Sequence, residues 1–249
     1  MIRGRLGRVK SRDDARTLRL SRYLTPGKYD APPPARDWFG STVFSWFLND
    51  KIGDCACASL CHMLQAHANL HNKIINISDS DVVGMYSAVS GYDPAKPETD
   101  RGSQMIDALR YMNNTGIAGH KIGAYVQVNQ NDAQELRAAM NLFGGVYVGA
   151  RLPKRVLSQG NTWEVVAPSY QSNDDAVGSL GGHAFTLLRY DRLHFGLATW
   201  ASRYTTSNAW ISKYVDECWA IISSEWVDGT MDAPNGFDMD RLRLDLSAL

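Results

Sequence analysis

The chemistry-bearing side chains of this protein crowd into one stretch, NDKIGDCACASLCHMLQAHANL, from Asn49 to Leu70. It holds Cys55, Cys57 and Cys61, three of the four cysteines, and His62 and His67, two of the six histidines. Such a cluster can be a metal site, a set of small packing residues, or a helix with one nucleophile. Metal fits worst. Structural zinc sites pair two short-spaced sets of ligands, and Cys57, Cys61 and His62 have no second set. His67 and His71 stand four apart with no carboxylate to complete a site. Cys57, Leu60, Cys61, Leu64 and Ala68 recur at helical spacing and form one apolar stripe. Free cysteine on such a stripe packs as a small hydrophobe. Cys218, inside an apolar strand-like run, reads the same way.

Cys55 differs. At about 100° per residue it points some 200° away from Cys57, off the stripe. It follows Gly53-Asp54, and Asp is a preferred N-cap, so Cys55 falls in the first helical turn. Unpaired N–H groups and the positive end of the helix dipole there favour a thiolate. A nucleophilic thiol needs a base. His62 lies about two turns along the helix, roughly 10 Å away, too far to serve. His183 is the better partner: it stands in GSLGGHAFTLLRYD, after two glycines and at the head of a strand. Glycines there let another backbone or a substrate approach the ring closely.

These residues need elements to carry them. A second helix is expected near Ser78, where Ser78 and Asp81 have capping-box spacing, and Gly91 and Pro94 end it. A third covers SQMIDALRYMNNTGI, with Met105, Ile106, Leu109 and Met112 on one face and Gly116 beyond its end. NDAQELRAAMNLFGG reads as a short helix with Asp132 and Glu135 at capping-box spacing and a Gly144-Gly145 stop. Strand-like runs follow at 146–152, 183–190, 194–200 and 218–223. Helices first and strands second point to an α+β fold of two lobes: a helical lobe over about 41–125 and an antiparallel, barrel-like β lobe over about 126–228. Pockets form readily where two such lobes meet.

Residues 1–40 read as an N-terminal arm. Its first 22 residues carry eight Lys/Arg (Arg3, Arg5, Arg8, Lys10, Arg12, Arg16, Arg19, Arg22) against Asp13 and Asp14, and TPGKYDAPPPARDW (25–38) is Pro-rich. The plain expectation is a solvated arm; the sharper one is a tether to an acidic surface or another subunit. Residues 229–249 form a C-terminal tail. Across the 249 residues, 26 basic side chains balance 26 acidic ones, so bulk charge draws the protein to neither nucleic acid nor membrane. No apolar run has membrane-spanning length and the N-terminus lacks the apolar core of a signal peptide, so a cytoplasmic or virion-associated protein with reduced thiols is expected.

Taken together, the segments resemble the papain-like (C1-like) cysteine peptidases, over roughly residues 45–225. A Cys at a helix N-terminus, a His heading a strand and a later Trp-bearing strand follow that family's order. Cys55 and His183 are 128 residues apart, near the family's spacing of about 130–150. Gly53-Asp54-Cys55 is similar to the family's G-S-C, His183-Ala184 to its His-Ala, and Ala198-Thr199-Trp200 to its Asn-Ser-Trp. Asp100-Arg101-Gly102-Ser103 and the helix after it resemble the Gly-rich turn and next helix of the helical lobe. Asn49, six residues before Cys55, takes the place of the family's oxyanion-hole Gln. The resemblance implies Cys55 as nucleophile, His183 as base, Asn49 as an oxyanion donor and Trp200 as a shield over the imidazole. It implies no metal or organic cofactor.

The departures are specific. Ile52 and Ala56 replace a cysteine and a tryptophan of the family pattern. The third triad position falls on Ala198, which cannot orient an imidazole; Thr199, after a one-residue register shift, Asp191 and Asn208 are the substitutes. The pattern is most similar to papain-like proteins of bacteria, phages and prophages. Three functions follow as expectations. The first is a cysteine hydrolase (peptidase or amidase) acting on a protein or peptide. The second is a virion or assembly protein that keeps the fold with little or no activity, its arm and tail contacting other subunits. The third is a peptidoglycan-cleaving amidase or endopeptidase. Catalysis requires an open cleft; a cleft filled by the protein's own chain argues against it.

Overall fold

A computed structural model of the chain describes residues 4–12, 17–25, 31–226 and 236–248. Six helices are found among them: α1 (Cys55–Leu70), α2 (Asp79–Ser90), α3 (Met105–Asn114), α4 (Ala133–Phe143), α5 (Asn208–Tyr214) and α6 (Met239–Ser247). Local chemistry explains most of their limits. Ser78 caps α2 in a complete capping box with Asp81, and Gly91 ends it in the left-handed conformation at φ +75°. Asp132 caps α4 by accepting from the N–H groups of Gln134 and Glu135. The reciprocal half of a box is missing there, because Glu135 accepts instead from the Asn129 N–H at 2.9 Å. In α3, Met105, Leu109 and Met112 are buried as the spacing predicts, with Ala108, while Ile106 is partly exposed.

α1 departs from the sequence picture. A single apolar stripe is expected, yet thirteen of its sixteen residues are buried. A helix covered on nearly every side lies inside a core rather than on its surface. Its Ala, Cys and Ser side chains let neighbours come close: Ser59 Oγ donates to the Ala184 carbonyl at 2.8 Å, and Tyr147 Oη to the Ala56 carbonyl at 2.9 Å.

Ten strands are described: β1 (Arg8–Val9), β2 (Arg36–Asp37), β3 (Ser103–Gln104), β4 (Ile122–Gln127), β5 (Val146–Leu152), β6 (Thr162–Trp163), β7 (Gly181–Tyr190), β8 (His194–Thr199), β9 (Ser202–Ser207) and β10 (Val215–Ser223). The main sheet runs β4-β10-β5-β7-β8-β9-β6, with β2 added to β7. Its ladders are antiparallel except β6 on β9. One core joins this sheet to α4 and α5, and a second lies between α1, α2 and α3 and the facing side of β4, β5, β7 and β10. This is the α+β arrangement of a helical layer against a β lobe. Among the described residues no helix is long and apolar enough to cross a membrane.

The basic arm is not a free solvated tail: part of it packs into the protein. Leu18, Leu20 and Tyr23 belong to the β-lobe core, where Phe237, Met239 and Leu242 of the tail join them. Tyr23 Oη donates to Asp245 of α6 at 2.7 Å. Residues 4–9 run across the protein, and β1 pairs in parallel with β3. Apolar side chains anchor the arm, and of its basic side chains Arg8 is buried against Asp216 and Glu217 while Arg5, Lys10, Arg12, Arg19 and Arg22 stay exposed. Arg3, Asp13, Asp14 and Arg16 of the arm, residues 26–30 of the Pro-rich stretch, and 227–235 and Leu249 at the C-terminal end lie outside the described residues.

Candidate active site

Cys55 is the first residue of α1, and Asp54 precedes it as N-cap. The segment before them is tied down from the helical layer. Asp100 accepts the Gly53 N–H on both carboxylate oxygens, at 3.1 and 3.0 Å. Tyr86 Oη donates to the same carboxylate at 2.6 Å and accepts the Gly102 N–H at 2.8 Å. Tyr86 thus holds the 100–102 segment, and Asp100 of that segment ties down Gly53 before Cys55.

His183 lies on β7, fully buried. Its Nε2 is 2.6 Å from Thr199 Oγ1, and its Nδ1 has no partner. Trp200 stacks on the ring, centroids 4.3 Å apart and planes at 26°. Thr199 is therefore the residue at the imidazole. Ala198 points the other way, into a small cluster with Phe39, Phe44, Ala66 and Leu188. Asp191 accepts instead from the N–H groups of Leu193 and His194, and Asn208 accepts from Arg137 and donates to the Arg192 carbonyl. Ala184, the residue after His183, brings its N–H to the Cys55 thiol.

Asn49 sits at the end of a tight turn, its N–H bonded to the Trp46 carbonyl at 2.9 Å. Its amide Nδ2 donates to the Ile52 carbonyl at 3.2 Å, beside the Asp54 carboxyl. The Cys55 N–H belongs to the first turn, where an α-helix leaves its amides without internal acceptors.

The cleft is occupied by the protein's own arm. The Arg5 N–H bonds the Asn49 carbonyl at 2.6 Å, and Trp200 Nε1 bonds the Arg5 carbonyl at 3.2 Å. Gly7 donates to the Gly182 carbonyl at 3.3 Å and accepts from the Ser103 N–H at 2.9 Å. The passage is so close that only glycine fits on either side. A Cβ on Gly7 would overlap the Gly53 carbonyl, and one on Gly102 or Gly182 would overlap the carbonyl of Gly7 or Arg8. Arg8 then turns inward. Its Nη2 donates to Glu217 Oε2 at 2.6 Å, and its Nη1 pairs with Asp216 Oδ1 at 2.6 Å. Composition hid these contacts: Arg8 is one of eight cations in residues 1–22, and Asp216 and Glu217 stand beside an apolar strand run with nothing local to mark them.

Burial sets the protonation of this filled state. It pushes the Cys55 thiol up to about 12; the N–H of Ala184 opposes the shift, a charge on Asp54 would add to it, and Gly7 and Arg8 oppose it more weakly. It pushes His183 down to about 3, with His62 contributing in the same direction. It also raises Asp54 well above its ordinary value. Dipole and first-turn amides favour a thiolate, but desolvation overrides them while the arm excludes water. The resting pair is a thiol and a neutral imidazole.

The remaining cysteines and histidines have structural surroundings. Cys57, Cys61 and Cys218 are buried and free. His62 bonds the Ser45 carbonyl at 2.7 Å, His67 the Ser223 hydroxyl at 2.9 Å and His71 the Trp226 carbonyl at 3.3 Å. Among the described residues no three His, Cys, Asp or Glu side chains are placed to hold a metal ion.

No family model matches the sequence, and no curated protein matches it. Solved structures do match. Xylellain, a cysteine protease from Xylella fastidiosa, is 16% identical over 88% of this chain and 96% of that one, with a TM-score of 0.66. Procathepsin B S9 from Trypanosoma congolense is 10% identical over 88% and 86%, with a TM-score of 0.62. The Carica candamarcensis cysteine protease CMS1MS2 is 12% identical over 76% and 98%, with a TM-score of 0.54. At these identities the likeness is one of backbone, and it establishes that this chain has the fold of the papain-like cysteine proteases.

Proposed function

We propose that the protein is a cysteine hydrolase of the peptidase or amidase type, latent while residues 4–9 occupy its cleft. The observation that carries this reading is the His183 ring: oriented through Nε2 by Thr199, covered by Trp200, and unpartnered at Nδ1 beside the strand that meets Cys55. In the productive tautomer Nε2–H donates to Thr199 and Nδ1 carries the lone pair. With the arm displaced, water enters and the desolvation that holds the thiol neutral falls. Nδ1 then takes the Cys55 proton as Sγ attacks the carbonyl carbon of an amide or ester. The Cys55 N–H and the Asn49 amide receive the developing oxyanion, Asn49 having turned from Ile52. The leaving group departs with the proton from His183. Water, deprotonated by the same nitrogen, cleaves the thioester and returns the thiol.

The filled cleft favours a second reading: a structural or assembly protein, such as a virion subunit, that keeps the fold without turnover. Arg8→Ala separates the two. Removing one partner of a buried ion pair costs on the order of 3–5 kcal/mol, a cost relieved when the arm lifts and water reaches Glu217. A latent hydrolase predicts Cys55 alkylation at least about tenfold faster than in the wild type. It also predicts peptide hydrolysis that Cys55→Ala or His183→Ala abolishes. Rapid alkylation of a folded Arg8→Ala protein with no hydrolysis of protein or peptides sinks the enzyme reading in favour of the structural one. Clearing of purified peptidoglycan, lost with Cys55→Ala, would place the substrate in the cell wall.

A further inference from the structure

We propose that the pocket holding Arg8 is a guanidinium-recognition pocket of the cleft, so the substrate carries an arginine side chain next to the reacting group. This rests on the cysteine-hydrolase reading. The position argues first: Gly7 packs against Gly53, two residues before Cys55, and bonds the Gly182 carbonyl next to His183, so Arg8 follows a residue set between the segments that carry the two. Shape argues next. The guanidinium lies over Gly149, where a Cβ would collide with its Nε and with the Met105 sulfur, so the floor of the pocket is left open by the missing side chain. Charge argues third. The pocket presents Asp216 and Glu217 from adjacent positions of β10, and the Arg8 side chain that meets them is 1% exposed.

Glu217 does not owe its orientation to Arg8 alone. Its other oxygen, Oε1, accepts from Trp219 Nε1 at 2.8 Å, a bond within β10 that stays when the arm leaves. The vacated pocket thus keeps Glu217 oriented, with the Asp216 carboxylate beside it on β10. An apolar side chain entering it would desolvate both and pair with neither. Lysine brings one point charge. Arginine brings a planar fork whose two terminal nitrogens reach both carboxylates, as Arg8 does. The arm holds the cleft shut with the side chain the cleft is built to accept.

The test uses the full-length Arg8→Gly protein, with Arg8→Lys as a second variant should the first fail to fold. Thermal midpoints are read against n-propylguanidinium, n-propylammonium and neutral n-propylurea. Cleavage of a positional peptide library is read on the same protein. Saturable stabilisation by the guanidinium, at least about tenfold tighter than by the ammonium and lost with Glu217→Gln, is expected. Library cleavage should prefer arginine over leucine at one position by at least about tenfold in kcat/KM. Glu217→Gln should erase that preference. Cleavage without an arginine preference, or equal stabilisation by all three probes, overturns this inference and leaves the hydrolase reading standing. Guanidinium-selective binding with no cleavage of any peptide overturns the hydrolase reading, and the substrate assignment with it.

Discussion

At the scale of single residues, the most informative bond joins His183 to Thr199. A hydroxyl stands where the sequence pattern places alanine, one position away, and it can hold the same ring nitrogen. Thr199 is a positioning residue in the proposed mechanism: it touches neither substrate nor thiol. Thr199→Val preserves shape and removes the hydroxyl, leaving a buried imidazole nitrogen unsatisfied at a cost of about 1–3 kcal/mol. In the arm-released Arg8→Ala background, kcat for peptide hydrolysis should fall roughly 10- to 100-fold with little change in KM. Thr199→Ser should restore most of it, which a purely structural role for the methyl group would not produce. The placement of Cys55 at a helix start and of His183 near the head of a strand was legible from residue type, spacing and flanking glycines. Arg8 was not, since one arginine among eight carries no mark until its two carboxylates are seen around it.

At the scale of elements, two tight turns aim the site, and both use side chains that avoid such geometry. Trp200 and Ala201 join β8 to β9 with φ of +48° and +53°, a conformation that hairpins normally assign to Asn and Gly. Phe47 and Leu48 do the same before Asn49, at +53° and +64°. Each left-handed non-glycine residue costs on the order of 1–2 kcal/mol. The strain is repaid by what the turns deliver, Trp200 onto the His183 ring and Asn49 beside Asp54. Ala201→Gly removes the strain without touching the ring, and should raise the thermal midpoint by roughly 1–4 °C. An unchanged or lower midpoint would show that the turn is not strained. Turn chemistry of this kind leaves no signature in sequence, because bulky residues predict the opposite. The polar run that forms β9, SRYTTS, and the glycine-containing β4 were likewise missed; they are strands because neighbours on the sheet pair with them. α2, α3 and α4 were readable because caps and glycine stops lie within a few residues of each other.

At the scale of the whole molecule, burial has been spent on ionisable groups. His62, His67 and His183 are neutral in the fold, pushed by burial to about 4, 3 and 3. In the unfolded chain an imidazole titrates near ~6.5. The unfolded state therefore takes up protons first as pH falls, and stability present above about 6.5 is lost progressively toward about 3. Asp54 acts oppositely, because its raised pKa favours the fold as pH drops, but it is one carboxyl against three imidazoles. The thermal midpoint should fall steadily from pH 6.5 to pH 4.5. A flat or rising profile over that range would contradict neutral buried histidines. The arm takes part in the same economy of burial, with Leu18, Leu20 and Tyr23 packed beside the tail and Arg8 sealed in the cleft.

The sequence by itself determined the fold class, the order of helices and strands, and the two side chains whose types suit acyl transfer. Those properties are local: a helix stripe, a cap, a glycine stop, a cysteine at a helix tip. Only the tertiary structure decided the state of the site. Whether Cys55 is a thiol or a thiolate depends on the water that reaches it, and residues 4–9 exclude that water from nearly fifty positions away in the chain. What orients His183, what fills the cleft and which charges wait at its floor are all contacts between distant segments. Their energies come from desolvation and close approach, which no spacing rule encodes.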